Sequence, residues 1–298
     1  MALTKQTLIE LLALIPFIEP VINHENISFR YLSNGLTNEN YWIQIDDEQY
    51  VLRLNNPESK RLSLNRDDET SIIKKVSELS LVPEILFQHE QPSFRLSKWI
   101  PGIVWTKDSF KQRINLNRLA QALKQLHSQP NSELPTMNLL ERLEHYRLMI
   151  LRRHGQLPAI EKQILSKTIK NFIIIQPSIT ACLCHNDLNA ANILESQSAQ
   201  QSQLCFLDWE YAAVNDPLFE LAVICVSNDL GDADKEYLLH AYMGSQQTVH
   251  LQETFRYWCW FYKYISLLWG LVILPIEQSL PHNLEQQFER LNTELQQL

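Results

Sequence analysis

Leu183-Cys184-His185-Asn186-Asp187-Leu188-Asn189-Ala190-Ala191-Asn192-Ile193-Leu194, followed by Cys205-Phe206-Leu207-Asp208-Trp209-Glu210, is the stretch on which the reading of this chain turns. It places a carboxylate, a carboxamide and a second carboxylate in polar loops framed by apolar runs. Phosphoryl transfer needs such a set: a carboxylate beside the attacking hydroxyl, and oxygen ligands for a metal that neutralises the phosphates. Asp187 is the candidate base, and Asn192 and Asp208 are the candidate ligands of Mg²⁺. The apolar runs predict short strands at 180–184 and 193–194, pairing with each other, and a further strand at 203–207 whose end presents Asp208.

Together these segments resemble the superfamily of choline/ethanolamine kinases, thiamine kinases and aminoglycoside phosphotransferases. Residues 185–194 match its catalytic loop. Asp208-Trp209-Glu210-Tyr211-Ala212, then Asp216-Pro217 and Phe219-Glu220-Leu221-Ala222, match its metal-binding segment, most closely in the choline and thiamine kinase branches. The resemblance implies an α+β, bilobal protein-kinase-like fold with a small antiparallel-sheet N-lobe, one main N-lobe helix and a larger, mainly helical C-lobe. It further implies ATP and Mg²⁺ as cofactors and His185 as a residue that locks the catalytic loop by hydrogen bonds.

The N-terminal part can be laid on that frame. Residues 27–32 and 41–45 read as a hairpin around Ser33-Asn34-Gly35-Leu36-Thr37-Asn38, and 50–54 as a third strand carrying Arg53. From the residues alone these are an ordinary glycine turn and an ordinary strand arginine. The resemblance makes Gly35, Thr37 and Asn38 a phosphate loop and Arg53 the cation for the α and β phosphates. It also makes Glu69, otherwise a first-turn acid of the next helix, the partner that orients that cation. A second hairpin, 85–87 with 94–96, leads to Trp99-Ile100-Pro101-Gly102, where a hinge is expected and backbone groups of Trp99 and Ile100 would meet adenine. The implied lobes are 1–98, binding nucleotide, and 99–298, carrying catalysis and substrate.

Beyond the hinge the pattern turns helical. Helices are expected around 116–126, 139–150, 160–175, 218–226 and 284–295, with Arg152-Arg153-His154 as solvated surface and His127 as a packing or capping residue. Residues 257–274 are nearly all apolar or aromatic, but Lys263 in their midst costs about 2.5 to 3.5 kcal/mol in a bilayer centre, so a buried helix is expected. Residues 8–15 predict an N-terminal amphipathic helix that stops before Pro16.

Composition bounds the partners. A net charge of −8 over 298 residues leaves no clustered Lys and Arg to neutralise nucleic-acid phosphates. No membrane and no obligate protein partner are expected. The five cysteines are odd in number, sit in apolar runs and lack paired zinc spacing, which reads as reduced core thiols of a cytoplasmic protein.

The substrate implied by the resemblance is a small cationic alcohol, choline, ethanolamine or thiamine, contacted by Glu210, Tyr211 and Trp269. Val272 stands where choline kinases usually carry a second tryptophan, and Ser227 where eukaryotic ones carry an acid, so choline and thiamine both stay open. An aminoglycoside acceptor, an ATP-binding pseudokinase and an aromatic-groove binding protein that uses no nucleotide are the alternatives.

Overall fold

The structure is a computed structural model and describes residues 3–22, 25–34, 37–56, 62, 64–91, 93–175, 180–197, 202–246, 248–275 and 278–298. The chain divides into two compact units, Met1–Asp67 with Pro83–Pro101, and Asp68–Val82 with Gly102–Leu298. The antiparallel sheet of the first and the helical mass of the second bear out the fold class implied by the resemblance.

In the first unit, α1 (Lys5–Leu12) is capped by the Thr4 hydroxyl, which accepts from the Thr7 amide at 3.1 Å. It stops short of Ile15, because Pro16 disfavours helical backbone in the residue before it. Ile15 and Ile18 still reach the core, from turns. β1 (Ile27–Asn34), β2 (Asn38–Ile45), β3 (Glu48–Asn55), β4 (Ile85–Gln88) and β5 (Phe94–Lys98) form one sheet in the order β1-β2-β3-β5-β4, antiparallel throughout. Tyr41, Ile43 and Ile45 alternate onto its buried face with Leu52 and Leu96, and Leu8 and Leu12 close over them, as a period of two requires. Both predicted hairpins are present.

The remaining elements follow in chain order as α2 (Arg66–Val76), β6 (Gly102–Val104), α3 (Arg113–His127), α4 (Leu139–His154), α5 (Ala159–Ile174), β7 (Cys182–Cys184), β8 (Ile193–Gln197), β9 (Ser202–Phe206), β10 (Ala213–Asn215), α6 (Pro217–Ser227), α7 (Asp232–Met243), α8 (Val249–Val272) and α9 (Leu284–Gln296). The strand pairing differs from expectation. β7 pairs with β10, whereas β8 lies between β6 and β9. The reason lies between them: Asn186 takes a left-handed φ of 64° and Ala190–Asn192 forms a single 3₁₀ turn, so the loop swings away instead of closing a hairpin.

Gly102 belongs to β6 rather than to a bare hinge turn. A Cβ there would lie 2.4 Å from the carbonyl oxygen of Glu195 on β8. Gly102→Ala is therefore expected to lower stability by about 1 to 3 kcal/mol, the usual range for overpacking; a urea midpoint equal to that of the parent would contradict this.

α8 buries Tyr257, Trp258, Trp260, Phe261, Tyr264, Ile265 and Leu268, and among the described residues no helix is long and apolar enough to cross a membrane. Arg153 is not simply solvated: its guanidinium donates to the carbonyls of Val272 and Pro275 and so closes the C-terminal end of α8. Arg147 is held deeper still, bidentate on Glu161 at 2.5 and 3.0 Å, with the Tyr264 hydroxyl on the same carboxylate.

Candidate active site

The loop between β7 and β8 is built by side chains that hydrogen-bond its backbone. Asn189 caps the 3₁₀ turn by accepting from the Ala191 amide at 3.0 Å, a local bond for which Asn is suited. Asn192, at the end of that turn, aims its Nδ2 back at Asp187, donating to the carbonyl at 2.8 Å and to Oδ2 at 2.9 Å. Asn189 Nδ2 reaches Asp187 Oδ1 at 3.3 Å. The Asp187 carboxylate is thus held from both sides, and the amide of Asn192 is turned so that its Oδ1 faces away from Asp187.

Asp208 follows β9 and has a left-handed φ of 60°, a conformation that Asp tolerates better than most residues. Two bonds tie its segment to the loop. The Leu207 amide donates to the Asn192 carbonyl at 2.8 Å, and His185 Nε2 donates to the Leu207 carbonyl at 2.9 Å. Burial pushes the Asp187 carboxyl up to about 8, with the Asp208 and Glu210 carboxylates adding to it and the Asn189 and Asn192 amides working against it. His185 is wholly buried and edges onto Trp209, with ring centroids 4.7 Å apart. Burial pulls its pKa down to about 4, which leaves a neutral ring that donates one bond.

Beneath the loop lies a support that the sequence did not disclose. Glu220, on α6 and wholly buried, accepts from the amides of His185 at 2.7 Å and Asn186 at 2.9 Å on its Oε1. Its Oε2 lies 2.5 Å from His127 Nε2, and His127 Nδ1 is 2.7 Å from the Tyr242 hydroxyl. Burial alone would depress His127, but hydrogen bonds to Cys182 and Glu220 outweigh it and lift its pKa to about 9. Asn228, just after α6, accepts from the Ala190 amide at 2.8 Å and donates to the Leu188 carbonyl at 3.1 Å. Asn215 Nδ2 donates to Asn186 Oδ1 at 2.8 Å. His127, expected as a packing or capping residue, is packed beneath the loop, where it supports Glu220. The visible signal was Glu220 inside a motif; Asn228 had none.

Of the predicted substrate residues, Tyr211 and Trp269 are brought together: Trp269 Nε1 donates to the Tyr211 hydroxyl at 3.0 Å. Burial pushes the Tyr211 phenol well up, with Tyr146, Glu210 and Asp187 adding to it. Arg142, which was not anticipated, lies over the Tyr211 ring at 5.3 Å. Ser227 donates to the Val223 carbonyl within its own helix.

In the first unit, Gly35 lies outside the described residues. Thr37, Asn38 and Arg53 are buried. Asn38 Nδ2 is 3.2 Å from the Thr37 hydroxyl, and its Oδ1 accepts from Arg66 Nη2 at 2.9 Å. Arg53 Nε donates to Asn55 Oδ1 at 2.8 Å. Trp99 and Ile100 are half-buried just beyond β5, with the Trp99 amide on the Gln49 carbonyl at 3.1 Å. Glu69, on α2, is buried in the second unit.

The donor atoms suit Mg²⁺. An outward-turned amide oxygen and a carboxylate are hard oxygen ligands, and Asp187, Asp208 and Glu210 crowd negative charge that a divalent cation would offset.

Comparison with known proteins bears on the family and the fold. Residues 28–252 match the phosphotransferase enzyme family. A Haemophilus influenzae protein, LicA, is 27% identical over 227 residues, 74% of this chain and 64% of that protein; the chain thus spans under two thirds of this relative's length. The choline kinase LicA from Streptococcus pneumoniae superposes with a TM-score of 0.76 at 20% identity, over 95% of this chain and 98% of that one. A choline/ethanolamine kinase family protein from Mesorhizobium loti gives 0.76 at 20%, over 97% and 94%. At such identity the likeness concerns the fold. The match over residues 28–252, which takes in both the loop at Asp187 and the segment at Asp208, makes this chain a member of the phosphotransferase enzyme family.

Proposed function

We propose that this chain transfers the γ-phosphoryl group of ATP to the hydroxyl of a small cationic alcohol, with choline and ethanolamine as first candidates and thiamine next. The observation that carries the reading is Asp187, gripped by Asn189 and Asn192 within range of the Asp208 and Glu210 charges. Asp187 accepts the hydroxyl proton. Asn192 Oδ1 and the Asp208 carboxylate would hold Mg²⁺, which supplies charge neutralisation at the phosphates. His185 keeps the two segments in register. Thr37, Asn38 and Arg53, with the backbone at Trp99 and Ile100, take the nucleotide, so that residues 1–98 act as the nucleotide lobe and 99–298 as the catalytic one.

A cationic acceptor is supported by charge and by rings. Asp187, Asp208 and Glu210 supply negative charge, and the faces of Tyr211 and Trp269 suit an ammonium or thiazolium group. The names of the LicA choline kinase and the choline/ethanolamine kinase family protein agree with this class. Removing one ring face should cost about 0.5 to 2 kcal/mol of cation binding. Trp269→Ala is thus expected to raise KM for the alcohol by about 2- to 30-fold with a smaller change in kcat; an unaltered KM would take Trp269 out of the pocket.

The deciding experiment is ADP release from Mg·ATP in the presence of choline, ethanolamine, thiamine or an aminoglycoside. Release with one of the first three is expected. Release with the aminoglycoside alone would reassign the acceptor, and none above the rate with ATP alone would leave a nucleotide-binding protein without turnover.

A further inference from the structure

Cys182 and Cys184 lie two residues apart on β7, so both thiols leave the same face of the strand. Their sulfurs are 3.7 Å apart. A tetrahedral zinc ion with Zn–S bonds of about 2.3 Å has an S···S edge of about 3.8 Å, so the pair already spans one edge of such a site. His127, at the end of α3, supplies a third ligand. Its ring nitrogen and the two sulfurs all lie within 4.8 Å of one another.

Glu220 Oε2, on α6, lies 2.5 Å from His127 Nε2 and stands outside the cluster, which comprises His127, Cys182 and Cys184 alone. Tyr242 sits 2.7 Å from the other ring nitrogen, Nδ1. A hydrogen bond on the far nitrogen is what orients an imidazole toward a metal. Cys184 is wholly buried and Cys182 is 7% exposed, so deprotonated thiols here would need a compensating cation. The three residues come from two elements, and 55 positions separate His127 from Cys182, which is why chain spacing shows no zinc pattern.

We propose that His127, through Nε2, forms with Cys182 and Cys184 a site for zinc or a similar thiophilic divalent ion, distinct from the Mg²⁺ ligands, and that filling it disturbs the catalytic loop. Binding replaces the thiol protons and the proton between His127 and Glu220, which are released to solvent. The second part follows from the hydrogen bonds. A metal on Nε2 takes the place of the proton that joins it to Glu220 Oε2, so Glu220 loses that partner and must move from it. The other oxygen of Glu220 holds the amides of His185 and Asn186, one and two residues from Asp187. The effect on turnover rests on the proposed phosphotransfer; the binding does not.

Metal-free, reduced full-length chain should be titrated with Co²⁺ as a spectroscopic stand-in. One equivalent is expected to give an intense thiolate charge-transfer band with tetrahedral d–d bands, displaced by one equivalent of Zn²⁺ and lost in both Cys182→Ser and Cys184→Ser. No band in the parent, or bands that survive in both variants, overturns the site. Alkylation mapped by mass spectrometry tests it without variants: Zn²⁺ should protect Cys182 and Cys184 together and leave Cys205, Cys225 and Cys259 as they were, and equal labelling with and without Zn²⁺ overturns it. With the site filled, ADP release is expected to fall severalfold in the parent but not in the serine variants. A loaded site with unchanged release refutes the coupling to the loop, and absence of ADP release without zinc counts against the phosphotransfer reading alone.

Discussion

Asp187→Asn is expected to cut ATP-dependent phosphorylation on the order of 10²- to 10⁴-fold, the range for losing a positioned general base, while the protein stays folded. The substitution keeps the shape, removes the acceptor of the hydroxyl proton and turns one of the two oxygens that accept from Asn189 and Asn192 into a donor. It also removes one of three neighbouring carboxylates. The lost hydrogen bond, about 0.5 to 1.5 kcal/mol, is offset by relief of like charges in a buried volume, so the melting temperature without Mg²⁺ should stay close to that of the parent. Steady-state assay and thermal melts on the same preparation check both parts. Undiminished kcat would dismiss Asp187 as the base, and a large fall in melting temperature would make it a structural residue.

Glu220→Ala is expected to cost about 3 to 5 kcal/mol of stability, the usual loss when one partner of a buried charged pair is removed. His127 would keep a charge with no carboxylate beside it, and the amides of His185 and Asn186 would lose their acceptor. The pair also predicts a pH window. Folded His127 has a pKa of about 9 against an ordinary 6.5, so its contribution is full below about 6.5 and fades as pH rises through 9. Glu220 is buried, which by itself would raise it, but its bonds to His127 hold it below its ordinary 4.5. Its share is present above 4.5 and is lost as pH falls further. Denaturant titrations with a metal chelator present should show the deficit of His127→Gln against the parent largest between about 4.5 and 6.5 and shrinking toward 9. A deficit independent of pH would mean that the pair contributes by packing alone.

The reaction centre was legible because its parts are local. Asp187 and Asn192 are joined by bonds within five residues, so their spacing along the chain is itself the signal. The hairpins of the first unit were legible because alternation follows from strand geometry, and α8 because a helix apolar on all sides must be buried. The error over β7 and β8 shows the limit. Apolar runs announce strands but do not name partners, and pairing was decided by the left-handed Asn186 and the 3₁₀ turn that follows it. The polar helix α7 was not anticipated, having little apolar periodicity to reveal it.

Sequence by itself determined the family and most element positions and singled out the candidate base and metal ligands, since those depend on residue identity and short spacing. Only tertiary structure decided what holds the site: Glu220 under the loop, His127 and Tyr242 behind it, Asn228 at its flank, and Arg142 and Tyr146 around Tyr211. Each is a pairing across tens of residues, set by how helices pack against the loop. A buried polar group must find a partner wherever the fold brings one within about 3 Å, and nothing in the linear order says which one that will be.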